Sequence, residues 1–90
     1  PISGVAQDAM QVLLNIKEVV IRNKKGIPGT MRLHVKGEAV ARVGDIVADE
    51  HLELVNKDHV IAHVSHGGEL DIQFFVETGR GYQQARWPQD

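Results

Sequence analysis

Three histidines fall within eight residues, His59, His63 and His66, and imidazole is both a common metal ligand and a titrating group near neutral pH. If residues 59–64 form a strand, His59 and His63 share a face but stand four residues apart, roughly 13 Å at ~3.3 Å per residue, too far for one ion. His66 falls in the turn that follows, and His34 and His51 are distant in sequence. The spacing therefore favours solvated strand and turn histidines, and no metal ligand is assigned. A small binding domain with a histidine-based metal or ligand site stands as the alternative reading. Nucleophilic catalysis has less support. Ser3, Thr30, Ser65 and Thr78 lie in no G-x-S-x-G context, and the chain has no cysteine to act as a thiolate. Asp45, Asp49, Glu50 and Glu53 cluster in sequence only, as solvated turn carboxylates do. Gly79-Arg80-Gly81 lacks the spacing of a dinucleotide or Walker loop, and Gly26-Ile27-Pro28-Gly29 lacks the Lys-Ser/Thr that would follow, so no cofactor is expected.

What remains is a set of apolar residues at positions where a sheet or helix would meet water: Met10, Leu14, Phe75, Tyr82 and Trp87. Singly these are ordinary surface residues. Together they point to contact with another protein rather than to an active site.

Composition sets the class. Ninety residues make one domain with one modest core, and 42% hydrophobic with 24% charged residues are globular values. Ten Lys and Arg against twelve Asp and Glu give no basic excess for nonspecific nucleic-acid binding, so direct contact with nucleic acid is not expected. No apolar run approaches the ~20 residues of a membrane span and no signal peptide is visible. With no cysteine, this is compatible with a reducing cytoplasm.

The elements that would carry these residues follow from periodicity. Gly4–Lys17 reads as one amphipathic helix, with Val5, Ala9, Val12, Leu13 and Ile16 on the face that meets a sheet. Met10 and Leu14 widen the apolar arc towards a second contact surface. Val19-Val20-Ile21 is a strand, and Thr30–Lys36 alternates with Met31, Leu33 and Val35 inward. The two are expected to pair as a hairpin with a long tip over 23–29. Short strands are expected at Ala39–Ala41 and Leu52–Leu54, with a turn at 43–46 that points Val43 and Ile46 inward. Val60, Ala62 and Val64 should face in, with Ile61 and His63 opposite. Ser65-His66-Gly67-Gly68 is a turn, and Leu70, Ile72, Phe74 and Val76 form an inward series that closes a last hairpin. The architecture is α+β, one amphipathic helix packed on an antiparallel sheet of short strands.

Four blocks then carry a family resemblance. Gly4-Val5, Asp8 and Val12-Leu13-Leu14-Asn15-Ile16-Lys17 resemble the helix of the insert domain in the alpha subunit of bacterial-type DNA-directed RNA polymerase. Val43-Gly44-Asp45-Ile46 is similar to that family's A-A-D-I. Leu52–Ala62 is similar to its V-E-I-x-N-P-x-H-V-I-A, and Gly79-Arg80-Gly81-Tyr82 matches its G-R-G-Y. The sequence departs from the family pattern at Gln7 and Gln11, where acidic residues are usual, and at Thr78, Gln83 and Gln84.

The resemblance implies a partial insert domain over residues 4–82 followed by a tail over 83–90. It implies a non-catalytic assembly role in a bacterial cytoplasm, with a plastid as the alternative setting. The expected partners are the beta and beta-prime subunits, with alpha dimerisation left to a domain absent from this chain. Carried over by position, the expected partner-binding residues are Gln11, Leu14, Asn15, Lys17, Arg80 and Tyr82, with Lys17 forming an ion pair to a large subunit.

Overall fold

The computed structural model describes residues 4–77 and 81–84. Among the described residues there is one helix, α1 (Ala9–Lys17), and eight strands: β1 (Val20–Asn23), β2 (Gly29–Lys36), β3 (Ala39–Arg42), β4 (Val47–Ala48), β5 (Leu52–Leu54), β6 (Val60–Val64), β7 (Glu69–Val76) and β8 (Gly81–Gln84). A 3-10 turn over Val43–Asp45 links β3 to β4. This is the expected α+β architecture, with every strand pairing antiparallel. No helix among the described residues is long and apolar enough to cross a membrane.

The pairing differs from the expected hairpins, and the reason is length. β2 offers eight residues with alternating burial, and β7 offers the same, so the two pair over eight consecutive rungs from Gly29–Val76 to Lys36–Glu69. β1, with four residues, could not satisfy that ladder. It sits instead between β5 and β8, and the Val19–Arg22/Thr30–Lys36 hairpin does not form. Nor do β6 and β7 form a hairpin around Ser65–Gly68. β6 pairs with β3, while β7 pairs with β2.

The result is one long two-stranded ribbon, β2–β3 against β7–β6, bent where Gly37 meets Gly68. Gly37 N donates to the Gly68 carbonyl at 2.9 Å across the bend, and Gly37 and Gly67 take φ of +86° and +82°, which only glycine adopts freely. Residues 4–6 lie along the outer edge of β6: Ser65 N donates to Gly4 O at 2.7 Å, Ala6 N to His63 O at 2.9 Å, and Val5 bridges Val64. Val5 is thus buried in extended backbone, not on the helix. The helix starts later than its apolar period suggested because Asp8 caps it. Asp8 Oδ1 accepts from Gln11 N at 2.8 Å and satisfies one of the donors a helix start leaves free.

One cluster of buried residues fills the interior. It includes Val12 and Ile16 from α1, Val19 and Ile21, Met31 and Leu33, Val43, and Phe74, which among the described residues is the largest side chain fully enclosed. Ala9 is exposed and Leu13 half-buried, so the helix seats two side chains rather than four. Ile61 is fully buried, against the expectation that it would face out with His63. The ladder explains it: Ala41 opposes Ala62 and Arg42 opposes Val60, so Ile61 is the extra residue of a β-bulge. A bulge breaks strict alternation and turns two successive side chains to the core.

Candidate functional site

With Asp8 as cap and Val12 and Ile16 inward, the direction of every other α1 side chain follows from about 100° per residue. Met10, Leu14 and Lys17 fall within about 60° of one another, centred on the side opposite Val12 and Ile16. They form an i, i+4, i+7 stripe. Met10 is 63% exposed and Leu14 47%. Lys17 ends the stripe in the last turn of the helix, exposed, with no hydrogen bond or ion pair to any described residue. A cation there suits the negative end of the helix dipole, and its ammonium is available to a partner. Beside Met10 the helix and β7 enclose a groove of about 580 Å³, walled by Met10, Leu13, Leu70 and Ile72.

Gln11 and Asn15, also expected in this site, are hydrogen-bonded within the domain. Gln11 Nε2 donates to Asn15 Oδ1 at 2.9 Å, and Asn15 Nδ2 donates to the carbonyl of Ile61 at 2.9 Å. His59 completes the tie from the other side, its Nε2–H donating to the Asn15 carbonyl at 3.0 Å. One turn on, Asn56 Nδ2 donates to Glu18 O at 2.8 Å while its Oδ1 accepts from Val20 N at 2.9 Å. Gln7 brackets the start of the helix, accepting from His63 N at 2.8 Å and donating to His63 Nδ1 at 2.8 Å. These amides fix how α1 sits on β6 and so which way the stripe points. The helix block and the Leu52–Ala62 block of the sequence therefore meet here, as a clasp.

The clasp also engages two of the three clustered histidines, His59 and His63. Among the described residues, no group of three or more His, Cys, Asp and Glu is arranged to hold a metal ion. The clustered carboxylates disperse. Asp45 accepts from Arg42 N at 2.9 Å, Asp49 from Thr30 N at 2.8 Å, and Glu53 pairs with Arg22 across β1 and β5 at 3.3 Å.

The outward face of the β2–β7 ribbon is charged. Arg32 grips Asp71 through two nitrogens, and His34 contacts Glu69 at 2.6 Å. The hydrogen bond from Arg32 holds the Asp71 carboxyl below its ordinary value, and the same bond raises the Arg32 guanidinium. These groups are open to water, which screens such pairs and leaves them little net effect on stability.

Tyr82 lies opposite Arg22 where β8 pairs with β1, and Arg80 and Trp87 are outside the described residues. Gln83 and Gln84 are part of β8, opposite Ile21 and Val20. Phe75 stands 48% exposed on the ribbon face, away from α1. Sequence reading missed Asn56 and His59 as ties because their partners, Glu18, Val20 and Asn15, are distant in the chain. It also missed Asn23, the only buried polar residue among those described. Compared with known proteins, residues 1–89 match the family model of the RNA polymerase Rpb3/RpoA insert domain.

Proposed function

The chain belongs to the RNA polymerase Rpb3/RpoA insert-domain family, and from that premise we propose that it is a non-catalytic assembly domain of an alpha subunit. It contacts the beta or beta-prime subunit through the Met10–Leu14–Lys17 stripe. The observation that carries this reading is the exposure of Met10 and Leu14, 63% and 47%, on the face opposite the buried one. A helix already seated by Val12 and Ile16 has no need of them in its own core. Apolar side chains closed by a cation suit a protein interface, where burial of Met and Leu gives affinity and the charge gives register. Gln11 and Asn15 support this surface from behind.

The test is reconstitution of full-length alpha with beta and beta-prime. Lys17→Glu reverses charge at an exposed position and should leave melting and alpha dimerisation unchanged. An exposed ion pair is worth at most about 1 kcal/mol, or roughly fivefold in affinity. The double variant Met10→Ser, Leu14→Ser, which also removes apolar contact, should weaken retention of a large subunit further. Normal assembly by the double variant, with an unchanged melting profile, would sink the proposal.

A further inference from the structure

A strand pair with one solvated face turns polar side chains to water, and the outward residues of β2 and β7 mostly obey. Two apolar residues on this face do not. Phe75 stands opposite Thr30 and is 48% exposed, and Val47 of β4 stands opposite Arg32 and is 75% exposed. Thr30 and Arg32 are two residues apart on β2, and directly opposed residues share a face, so Phe75 and Val47 lie on one outward face in adjacent rows. Pro28, in the loop that enters β2, is exposed beside them. Pro28, Thr30, Asp49, Phe75 and Glu77 are among the residues lining a cleft of about 600 Å³ at this end of the ribbon.

The charges lining this cleft have one sign. Asp49 is held there by the β2 backbone: its Oδ2 accepts from Thr30 N at 2.8 Å, and its own N donates to Thr30 O at 3.1 Å. Its Oδ1 bonds to no described residue. Glu77 is exposed and pairs with no described cation. The cations of the same face are engaged elsewhere, Arg32 with Asp71 and His34 with Glu69, while Lys36 stands at the far end of the ladder. Lys24, Lys25 and His51 are close in the fold but do not line the cleft, and the His51 imidazole donates to the Ile27 carbonyl at 3.2 Å.

We propose that this cleft receives an arginine side chain from a protein partner, at a surface separate from the Met10–Leu14–Lys17 stripe. An aromatic face beside two carboxylates matches a guanidinium, whose plane stacks on the ring while its N–H groups fork to the oxygens. A lysine ammonium would meet the carboxylates as a point charge without the planar stacking. A phosphate backbone would be repelled by Asp49 and Glu77, so the charge selects protein over nucleic acid. Val47 and Pro28 provide apolar surface for the residues that flank the arginine. Eight rungs of ladder hold Phe75 in place before any partner arrives, which lowers the ordering cost of binding.

NMR titration of full-length alpha with acetyl-Gly-Arg-Gly-amide, and with its Lys and Gln counterparts, tests this. The ring and amide signals of Phe75 and the methyl signals of Val47 are followed. The Arg peptide should bind about two- to fivefold more tightly than the Lys peptide, the margin expected of stacking at an exposed ring. The Gln peptide should leave the signals in place. Phe75→Leu keeps an apolar side chain and should bring the Arg peptide down to the level of the Lys peptide, while Glu77→Gln should weaken both. Equal shifts from the Arg and Gln peptides would overturn the proposal, and so would equal affinity for Arg and Lys, because the ring would then have no part. Retention of the Arg preference by Phe75→Leu would overturn it as well. Signals that move when alpha is concentrated without peptide would assign the cleft to a second copy of the chain, with the same result. The wild-type comparison needs no variant to fold and no large subunit, so this proposal and the stripe reading fail separately.

Discussion

Replacing Asn23 by alanine should destabilise the domain by about 1.5–3 kcal/mol, although Asn23 sits at the mouth of a loop that in sequence is only a run of polar residues. Its side chain is fully enclosed. Nδ2 donates to the Ile27 carbonyl at 2.8 Å, and Oδ1 accepts from Gly26 N at 2.9 Å and Lys25 N at 3.2 Å. Three bonds at a net ~0.5–1.5 kcal/mol each would give about 1.5–4.5 kcal/mol. The Lys25 bond is long, and the freed loop amides can turn to water, which brings the figure to the lower part of that range. Against a total of roughly 5–13 kcal/mol for ninety residues, the loss is easily seen in urea melting. Asn23→Asp separates the parts. It keeps the acceptor for both loop amides but loses the donor to Ile27 and encloses a carboxylate, so it should cost at least as much as alanine. The amides of Lys25 and Gly26 should lose protection in Asn23→Ala. A melting loss under about 0.5 kcal/mol, with those amides unchanged, would refute the claim that Asn23 winds the loop.

Ile16→Ala should cost about 2–5 kcal/mol, because the side chain is fully buried and leaves a cavity. Leu13→Ala, at the half-buried rim of the groove, should cost distinctly less, and equal losses in urea melting would mean the helix is seated differently. Acid stability gives a further check. The Asp71 carboxyl is held below its ordinary value by Arg32, so its contribution is present above the unfolded-state value and is lost as pH falls through the folded one. Arg32→Gln should therefore raise the Asp71 titration midpoint followed by carboxyl NMR and slightly lower stability at neutral pH, with little difference in strong acid. An unmoved midpoint would remove the pair from the account.

The strongly periodic stretches were legible in the sequence. β2 and β7 each show alternation with one solvated face, and both lie where that pattern put them. The turn at 43–46 points Val43 and Ile46 inward as expected. Pairing was not legible, because alternation states which side of a strand is apolar and not which distant strand will lie beside it. Ser65–Gly68 reads equally well as a hairpin turn or as the outer corner of a bent ribbon. The bulge at Ile61 escaped for a related reason, since it exists only in relation to β3. On α1, the apolar period continued through Asp8 into Val5, and only the capping carboxylate marks where helix gives way to strand. Met10 and Leu14 could be read as surplus apolar groups from spacing alone. That Asn15 is a tie, and not itself part of the exposed stripe, depends on Ile61 and His59.

The ties of Asn15, Asn56 and Gln7 share a property that bears on how assembly can be studied. Each joins uncharged groups, amide to carbonyl, amide to backbone N–H or amide to imidazole. The nearest carboxylate at this seat, Glu18, stands 3.9 Å from His59 Nε2 and largely in water. Mobile ions screen exposed charges beyond a Debye length of about 8 Å at physiological ionic strength, and hydrogen bonds between neutral groups are little affected. Salt should thus leave the seating of α1 in place while weakening whatever Lys17 meets. A salt titration of subunit assembly would then report on the charge at the interface, free of any change in the platform that presents it.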